Sequence, residues 1–294
     1  MQAFVNAAAQ NPSWHWYAIA DSAQHKALPD AISKDGGQHR CLLDAPVGSP
    51  LAAQAPHLVQ LPAPGESDAN WKWIARNVPS LPCATVIAST LEFDPLFEHL
   101  KPFTEVLLPD GEDMFFAFWD PAILAVLVGQ ADDPTLYVKG PVLNPEQRAA
   151  LVQGLAGWWY WDRDGDLRSV QIENASLPKN AVNIKGLDMP LQLTQPQVDE
   201  LVEASVPDHV LHYVELNQGH LLNDIQPKQR YEVVRENLVA AREIKLDAMS
   251  DLVNYVCTAL IYKDQFKQDK TIQALLAQVE KGELQFAQAL ELMP

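Results

Sequence analysis

The chain has 294 residues, 48% of them hydrophobic and 20% charged, which is enough apolar material for a buried core and excludes a disordered chain. Its 21 Lys and Arg against 38 Asp and Glu give a formal charge of −17. That balance argues against nucleic acid, which is bound by cations that displace phosphate counterions, and against docking on anionic lipid.

The first residues, Met1-Gln2-Ala3-Phe4-Val5-Asn6, lack the basic and apolar regions of a secretory signal. The most apolar stretch, 114–128, is interrupted by Asp120-Pro121, short of the roughly 20 apolar residues a membrane span needs. Cys41, Cys83 and Cys257 are odd in number and far apart, so they read as small buried hydrophobes of a reducing cytoplasm. The expectation is a soluble cytoplasmic protein.

Residues 16–20, 58–61 and 84–88 are compact apolar runs that predict buried strands. Segments 104–108 and 114–119 flank Pro109-Asp110-Gly111-Glu112, whose Asp-Gly pair suits a hairpin turn. Asp94-Pro95, Asp120-Pro121 and Asn144-Pro145 each place a capping side chain before a proline, the pattern of a helix start. After Pro121, Ile123, Leu124, Leu127 and Val128 share a face and Gly129 ends the helix. A second hairpin reads from Gly157-Trp158-Trp159-Tyr160-Trp161 through Asp162-Arg163-Asp164-Gly165-Asp166 to 167–172. Residues 174–190, with Pro178, Gly186 and Pro190, lack periodicity and read as the connection between lobes.

From Thr194 the pattern is helical. Thr194 and Gln197 form a capping box, and Val198, Leu201 and Val202 share a face. Segment 229–262 holds no Gly or Pro and fits one long helix or two. Ile272, Leu275, Leu276 and Val279 mark another helix ending at Gly282, and Phe286, Ala289, Leu290 and Met293 a last short one. The fold class is therefore an N-terminal α/β lobe, with a mixed sheet and helices, followed by an all-helical C-terminal lobe. The boundaries are 1–140 for the first lobe, 141–190 for a helix, the aromatic hairpin and the connection, and 191–294 for the helical lobe. Between residues 81 and 138 ten acidic residues face a single base, Lys101, a charge that repels acidic partners and steers basic ones, or else merely solubilises the surface.

Catalytic patterns are absent. No Gly-x-Ser-x-Gly elbow, Walker loop or Gly-x-Gly-x-x-Gly fingerprint occurs. Asp162 to Asp166 with Glu173 imitates a calcium loop, but Leu167 occupies the position where such a loop needs glycine. His209 and His212, with His220 downstream, lack the spacing and internal glutamate of the HExxH zinc motif. They remain the basis of one alternative, a metal-dependent hydrolase. In a strand, Trp158 and Tyr160 would face one side, and Trp159 and Trp161 the other. One side is core; the other exposes two indoles to a partner or packs them on the second lobe.

Four segments taken in order resemble a known family. Tyr17-Ala18-Ile19-Ala20-Asp21-Ser22-Ala23-Gln24 resembles its first strand and turn, and Ala55-Pro56-His57-Leu58-Val59-Gln60-Leu61 its second strand. Ser89-Thr90-Leu91 with Phe97-Glu98-His99-Leu100-Lys101 resembles its next helix. Asp110-Gly111 with Phe116-Ala117-Phe118-Trp119-Asp120-Pro121-Ala122-Ile123-Leu124 resembles its hairpin and following helix. The family is that of the type VI secretion effector chaperones or adaptors (Tap or TEC proteins), and the resemblance covers about 14–130. Ala117 and Ala122 stand where the family usually has arginine. The resemblance implies a cytoplasmic, non-enzymatic carrier that uses no cofactor or metal. Its partners would be a secreted effector, held by its N-terminal or PAAR region, and the VgrG spike. Trp158, Trp159 and Trp161, with Phe118 and Asp120, are the residues expected to meet a partner.

Overall fold

The computed structural model describes residues 1–25, 28, 30–32, 37–65, 69–172 and 189–294. They gather into two compact units, 1–201 and 202–294. The strands are β1 (His15–Asp21), β2 (His39–Cys41), β3 (Pro56–Leu61), β4 (Ala84–Ser89), β5 (Glu105–Leu107), β6 (Asp113–Phe115), β7 (Leu155–Trp161), β8 (Leu167–Ser169) and β9 (Leu191–Gln192). The first unit's helices are α1 (Gln2–Gln10), α2 (Ala69–Asn77), α3 (Phe93–Leu100), α4 (Pro121–Val128) and α5 (Pro145–Leu151). A further helix, α6 (Gln195–Gln218), begins in the first unit and runs into the second. The expected sheet-and-helix region followed by an all-helical region is what forms.

Six strands make one sheet in the order β2-β3-β1-β4-β7-β8, antiparallel at every pair. Mixed pairing belongs to a small second sheet, β6-β5-β9, in which β5 runs antiparallel to β6 and parallel to β9. The 141–190 segment contributes α5 and the β7–β8 hairpin to the first unit; within its 174–190 connection, only 189 and 190 are among the described residues.

Alternation along the strands gives the large sheet two covered faces. On one face, Trp16, Ala18, Val59, Val86 and Ala88 pack with Trp161 against Phe4 of α1 and Trp71 and Ile74 of α2. On the other, the Tyr17 ring lies 6.3 Å from Phe93 of α3, and Trp158 lies 6.0 Å from Phe118. Burying each large side chain contributes about 1.5–3 kcal/mol.

Small residues create the space for the large ones. Trp16 pairs with Ala88, and Ala88 with Gly157, so one row across the sheet is nearly bare beyond the first indole. The Trp159 ring folds into that space and stacks on Trp16, with centroids 5.6 Å apart and planes 22° apart. A Cβ on Gly157 would lie 2.7 Å from Cζ3 of Trp159. Gly157→Ala should therefore destabilise the protein by about 1–3 kcal/mol, the cost of overpacking. It should also perturb the near-ultraviolet circular dichroism of the Trp16–Trp159 pair. An unchanged melting curve and spectrum would contradict this packing.

The helix starts follow their capping chemistry at two of the three Asx-Pro sites. Asp120 Oδ1 accepts from the backbone N–H groups of Ala122 (2.9 Å) and Ile123 (3.3 Å), and Gly129 closes α4 at φ 74°. Asn144 and Gln147 form a full capping box at α5. Asp94 differs. The cap position falls two residues earlier, at Glu92, whose side chain makes no capping bond, leaving Asp94 inside the first turn. Phe93 is drawn into the core against Tyr17, and Pro95 still falls where a missing donor costs nothing.

In the second unit, α6 is followed by α7 (Pro227–Glu243), α8 (Met249–Tyr262), α9 (Asp264–Gln268), α10 (Lys270–Glu280) and α11 (Phe286–Leu292). Its core includes Val206, Val210, Val214, Leu238, Val256 and Ile272, with Tyr255 wedged between Phe266 and Phe286 at 5.1 and 5.9 Å. The long Gly- and Pro-free segment is two helices. Lys245 adopts φ 64°, its N–H donates to the Arg242 carbonyl, and that of Leu246 to Ala241. These two bonds are a Schellman stop with lysine in the left-handed position. Arg242 braces the same corner, donating to Glu203 at 3.0 and 2.5 Å and to the Leu246 carbonyl at 2.9 Å. Val202, expected on a packed face with Val198 and Leu201, is 57% exposed.

Candidate functional site

The rings of the aromatic hairpin, expected to form a binding surface, turn inward. Trp158 and Phe118 are fully buried, Trp161 is 7% exposed, and Trp159 and Asp120 keep only part of their surface accessible. The expectation that Trp159 and Trp161 face a partner or the second lobe is corrected. Both pack on Phe4, at 5.5 and 6.0 Å between centroids, because α1 covers that face of the sheet. On the opposite face Trp158 donates from Nε1 to Thr85 Oγ1 at 3.0 Å. The hairpin and the Phe118 segment are thus brought together at Trp158, while Asp120 stands apart as a helix cap.

The residues that carry the family resemblance hold the scaffold. The Tyr17 hydroxyl donates to the Leu91 carbonyl at 2.8 Å, and Ser89 Oγ to that of Gly154 at 2.6 Å. His99 Nε2 lies 3.2 Å from the Leu151 carbonyl, so that nitrogen carries the proton, and burial lowers the pKa of the ring. Asp21 accepts from Ala23 N–H (2.9 Å) and from Trp119 Nε1 (3.2 Å). Each of these ties one element to another, and none is aimed at an open cleft.

Sequence reasoning overlooked a buried carboxylate, Asp133. Its Oδ2 accepts from the Tyr160 hydroxyl at 2.9 Å, and Oδ1 from the Thr135 hydroxyl and N–H at 2.6 and 2.8 Å. Burial, reinforced by Asp133, raises the Tyr160 pKa far above its ordinary value, so the phenol stays neutral. The signal was present as Asp133-Pro134-Thr135, the residue pattern of an Asx turn.

The calcium-loop imitation is a hairpin turn. Asp162 Oδ1 accepts from the N–H groups of Asp164 and Asp166, Oδ2 from Arg168 Nε at 2.7 Å, and Gly165 sits at φ 85°. Its distant member, Glu173, lies outside the described residues. His209, His212 and His220 are exposed, and among the described residues no group of three or more His, Cys, Asp or Glu could hold a metal ion. Burial pushes the Cys83 thiol up to about 11 and raises that of Cys257, which keeps both protonated and unreactive.

Accessible apolar surface lies elsewhere. Val202, Tyr213 and Leu216 project from one face of α6, 57%, 46% and 70% exposed, with exposed His209 between them. Their spacing of eleven and three residues keeps them on a single stripe. A cleft of about 330 Å³ in the second unit is lined by Leu221, Ile225, Leu260 and Phe266, with the Lys263–Asp224 ion pair (3.0 Å) at its margin. In the first unit Phe115 of β6 is 54% exposed. No described helix is long and apolar enough to cross a membrane.

The polar groups of the motifs thus turn inward, and apolar side chains of α6 and β6 lie outside. Residues 16–136 match a family model described as a domain of unknown function (DUF4123). This domain, matched over less than half of the chain, is known from the type VI secretion effector chaperones (Tap/TEC) that the motifs resemble, and it is linked to adaptor function in that system. No match was found among curated proteins or solved structures.

Proposed function

We propose that this protein is a cytoplasmic carrier that binds a type VI secretion effector and helps seat it on the VgrG spike, through the effector's N-terminal or PAAR region. It works by contact alone, without cofactor and without altering a covalent bond. The observation that carries this reading is the adaptor-linked domain over 16–136. The chemistry of the surface supports it. The polar residues of the motifs are spent on internal hydrogen bonds, and the exposed stripe of α6 offers apolar area of the kind a transient partner covers. Covering such area contributes about 25 cal/mol per Å², enough for capture and weak enough to permit release.

Co-expression with a neighbouring toxin gene and its VgrG, followed by affinity capture in low salt, tests the reading. Both proteins should be retained with the tagged chain. Recovery of the chain alone, with both candidates shown to be soluble, would count against it.

A further inference from the structure

β6 is the last strand of the small sheet, and among the described residues no strand pairs with its outer side. The hydrogen bonds from Phe116 N–H to Thr104 and from Leu108 N–H to Glu112, both 2.8 Å, fix the phase of the β5–β6 ladder. With the register Glu105↔Phe115, Val106↔Met114 and Leu107↔Asp113, Met114 turns its backbone groups toward β5. The alternation of antiparallel pairing then points the N–H and C=O groups of Asp113 and Phe115 outward. Such a row is a template for another strand.

The side chains around that row have a definite character. Phe115 stands directly opposite Glu105 and two residues from Asp113, so an exposed ring sits among carboxylates on one face. Its inner edge is steadied by Trp119, 5.6 Å away in a T-shaped contact. Asp110 and Glu112 at the turn are also exposed. In the same acidic stretch Glu98 pairs with Arg40, which in turn stacks on Phe97. Among the described residues no ion pair neutralises Glu105, Asp110, Glu112 or Asp113.

We propose that the outer edge of β6 is a docking strand for an extended, basic segment of a partner protein. The segment adds to the sheet through the backbone groups of Asp113 and Phe115. Its alternate Lys or Arg side chains lie over the Phe115 ring and against Glu105 and Asp113. Backbone pairing supplies affinity without sequence demands, and the ring and carboxylates select for cations. A second copy of this chain is a poor occupant, because it would bring the same carboxylates edge to edge. The inference stands on the geometry of the edge and does not depend on the effector-carrier reading.

The test uses the full chain and two labelled peptides of about ten residues, one alternating valine with lysine and its twin alternating valine with glutamate. Fluorescence anisotropy should show the lysine peptide binding at least about tenfold tighter than the glutamate peptide, with affinity falling as salt screens the contact. Asp113→Pro removes an outward N–H that β5 does not use and should abolish binding without shifting the melting temperature. Phe115→Ala should weaken binding about tenfold or more. Equal affinity for the two peptides, no binding, or binding unaffected by both variants would overturn the proposal. A concentration-dependent dimer lost in Asp113→Pro would also overturn it, by making a second copy the occupant. Retained effector capture by Asp113→Pro would leave the carrier reading standing and reject only this edge as the effector's contact.

Discussion

Trp159→Ala combined with Trp161→Ala should cost the protein about 5 kcal/mol or more, comparable to the whole stability of a modest domain. Trp161 is 7% exposed, and both rings rest on Phe4, while Trp159 also stacks on Trp16. Removing them empties the space between α1 and the sheet, which the small residues Ala88 and Gly157 leave no means of refilling. Because the two rings share Phe4, their individual losses will not add, and the pair must be measured together with each single variant. Chemical denaturation should show a large drop in the midpoint, with Trp161→Ala the more damaging of the two single changes. A double variant as stable as the parent would mean that these rings do not form the core. Any loss of partner capture by this variant must accordingly be read as loss of fold, which makes Phe115→Ala or Leu216→Ala the better probe of binding.

Asp133→Ala should be nearly as damaging, at about 3 kcal/mol or more. It leaves the Tyr160 hydroxyl and both Thr135 donors without an acceptor in a buried place. Asp133→Asn keeps an acceptor oxygen and should recover most of the loss. The same cluster gives a pH dependence whose sign is fixed. Burial and then Asp133 raise the Tyr160 pKa from 10.0, so the folded protein holds a neutral phenol where the unfolded chain ionises. This stabilisation is complete below pH about 10 and is lost as pH rises above it. Tyr255, pushed up to about 12 chiefly by burial, adds a loss of the same sign in the second unit. Tyr160→Phe should lower stability at neutral pH and flatten the alkaline decline. A decline as steep as the parent's would contradict the role given to this phenol.

How much of this was legible in the residues depends on whether the local chemistry had one meaning. The Asp110-Gly111 and Asp164-Gly165 turns were, because only a residue tolerant of positive φ serves there, at 89° and 85°. Gly282 announced the end of α10 in the same way, at φ 73°. The break between α7 and α8 uses the same stop with Lys245 in the left-handed position, so nothing in the composition marked it. Five of the six strands of the large sheet were found, but not the short edge strand β2 (His39–Cys41) and not the antiparallel order. Both faces are covered, so each strand reads as a continuous apolar run and the alternation of a half-exposed antiparallel sheet is invisible.

The surfaces were the least legible part. An aromatic run such as 158–161 looks the same whether it faces solvent or core, and here α1, whose apolar stretch had not been recognised as a helix, decides the matter. Val202 was grouped with Val198 and Leu201 by spacing, yet the buried stripe of α6 runs through Val206, Val210 and Val214 and leaves Val202 outside. The family motifs were read correctly as signs of kinship and proved to be hydrogen-bonded joints of the scaffold.

Native mass spectrometry of the chain mixed with its effector tests most directly whether it acts by contact alone. The expected result is a stoichiometric complex from which the effector is released with an unchanged covalent mass. Failure to form any complex, or an effector recovered with an altered mass in the presence of this protein alone, would contradict it.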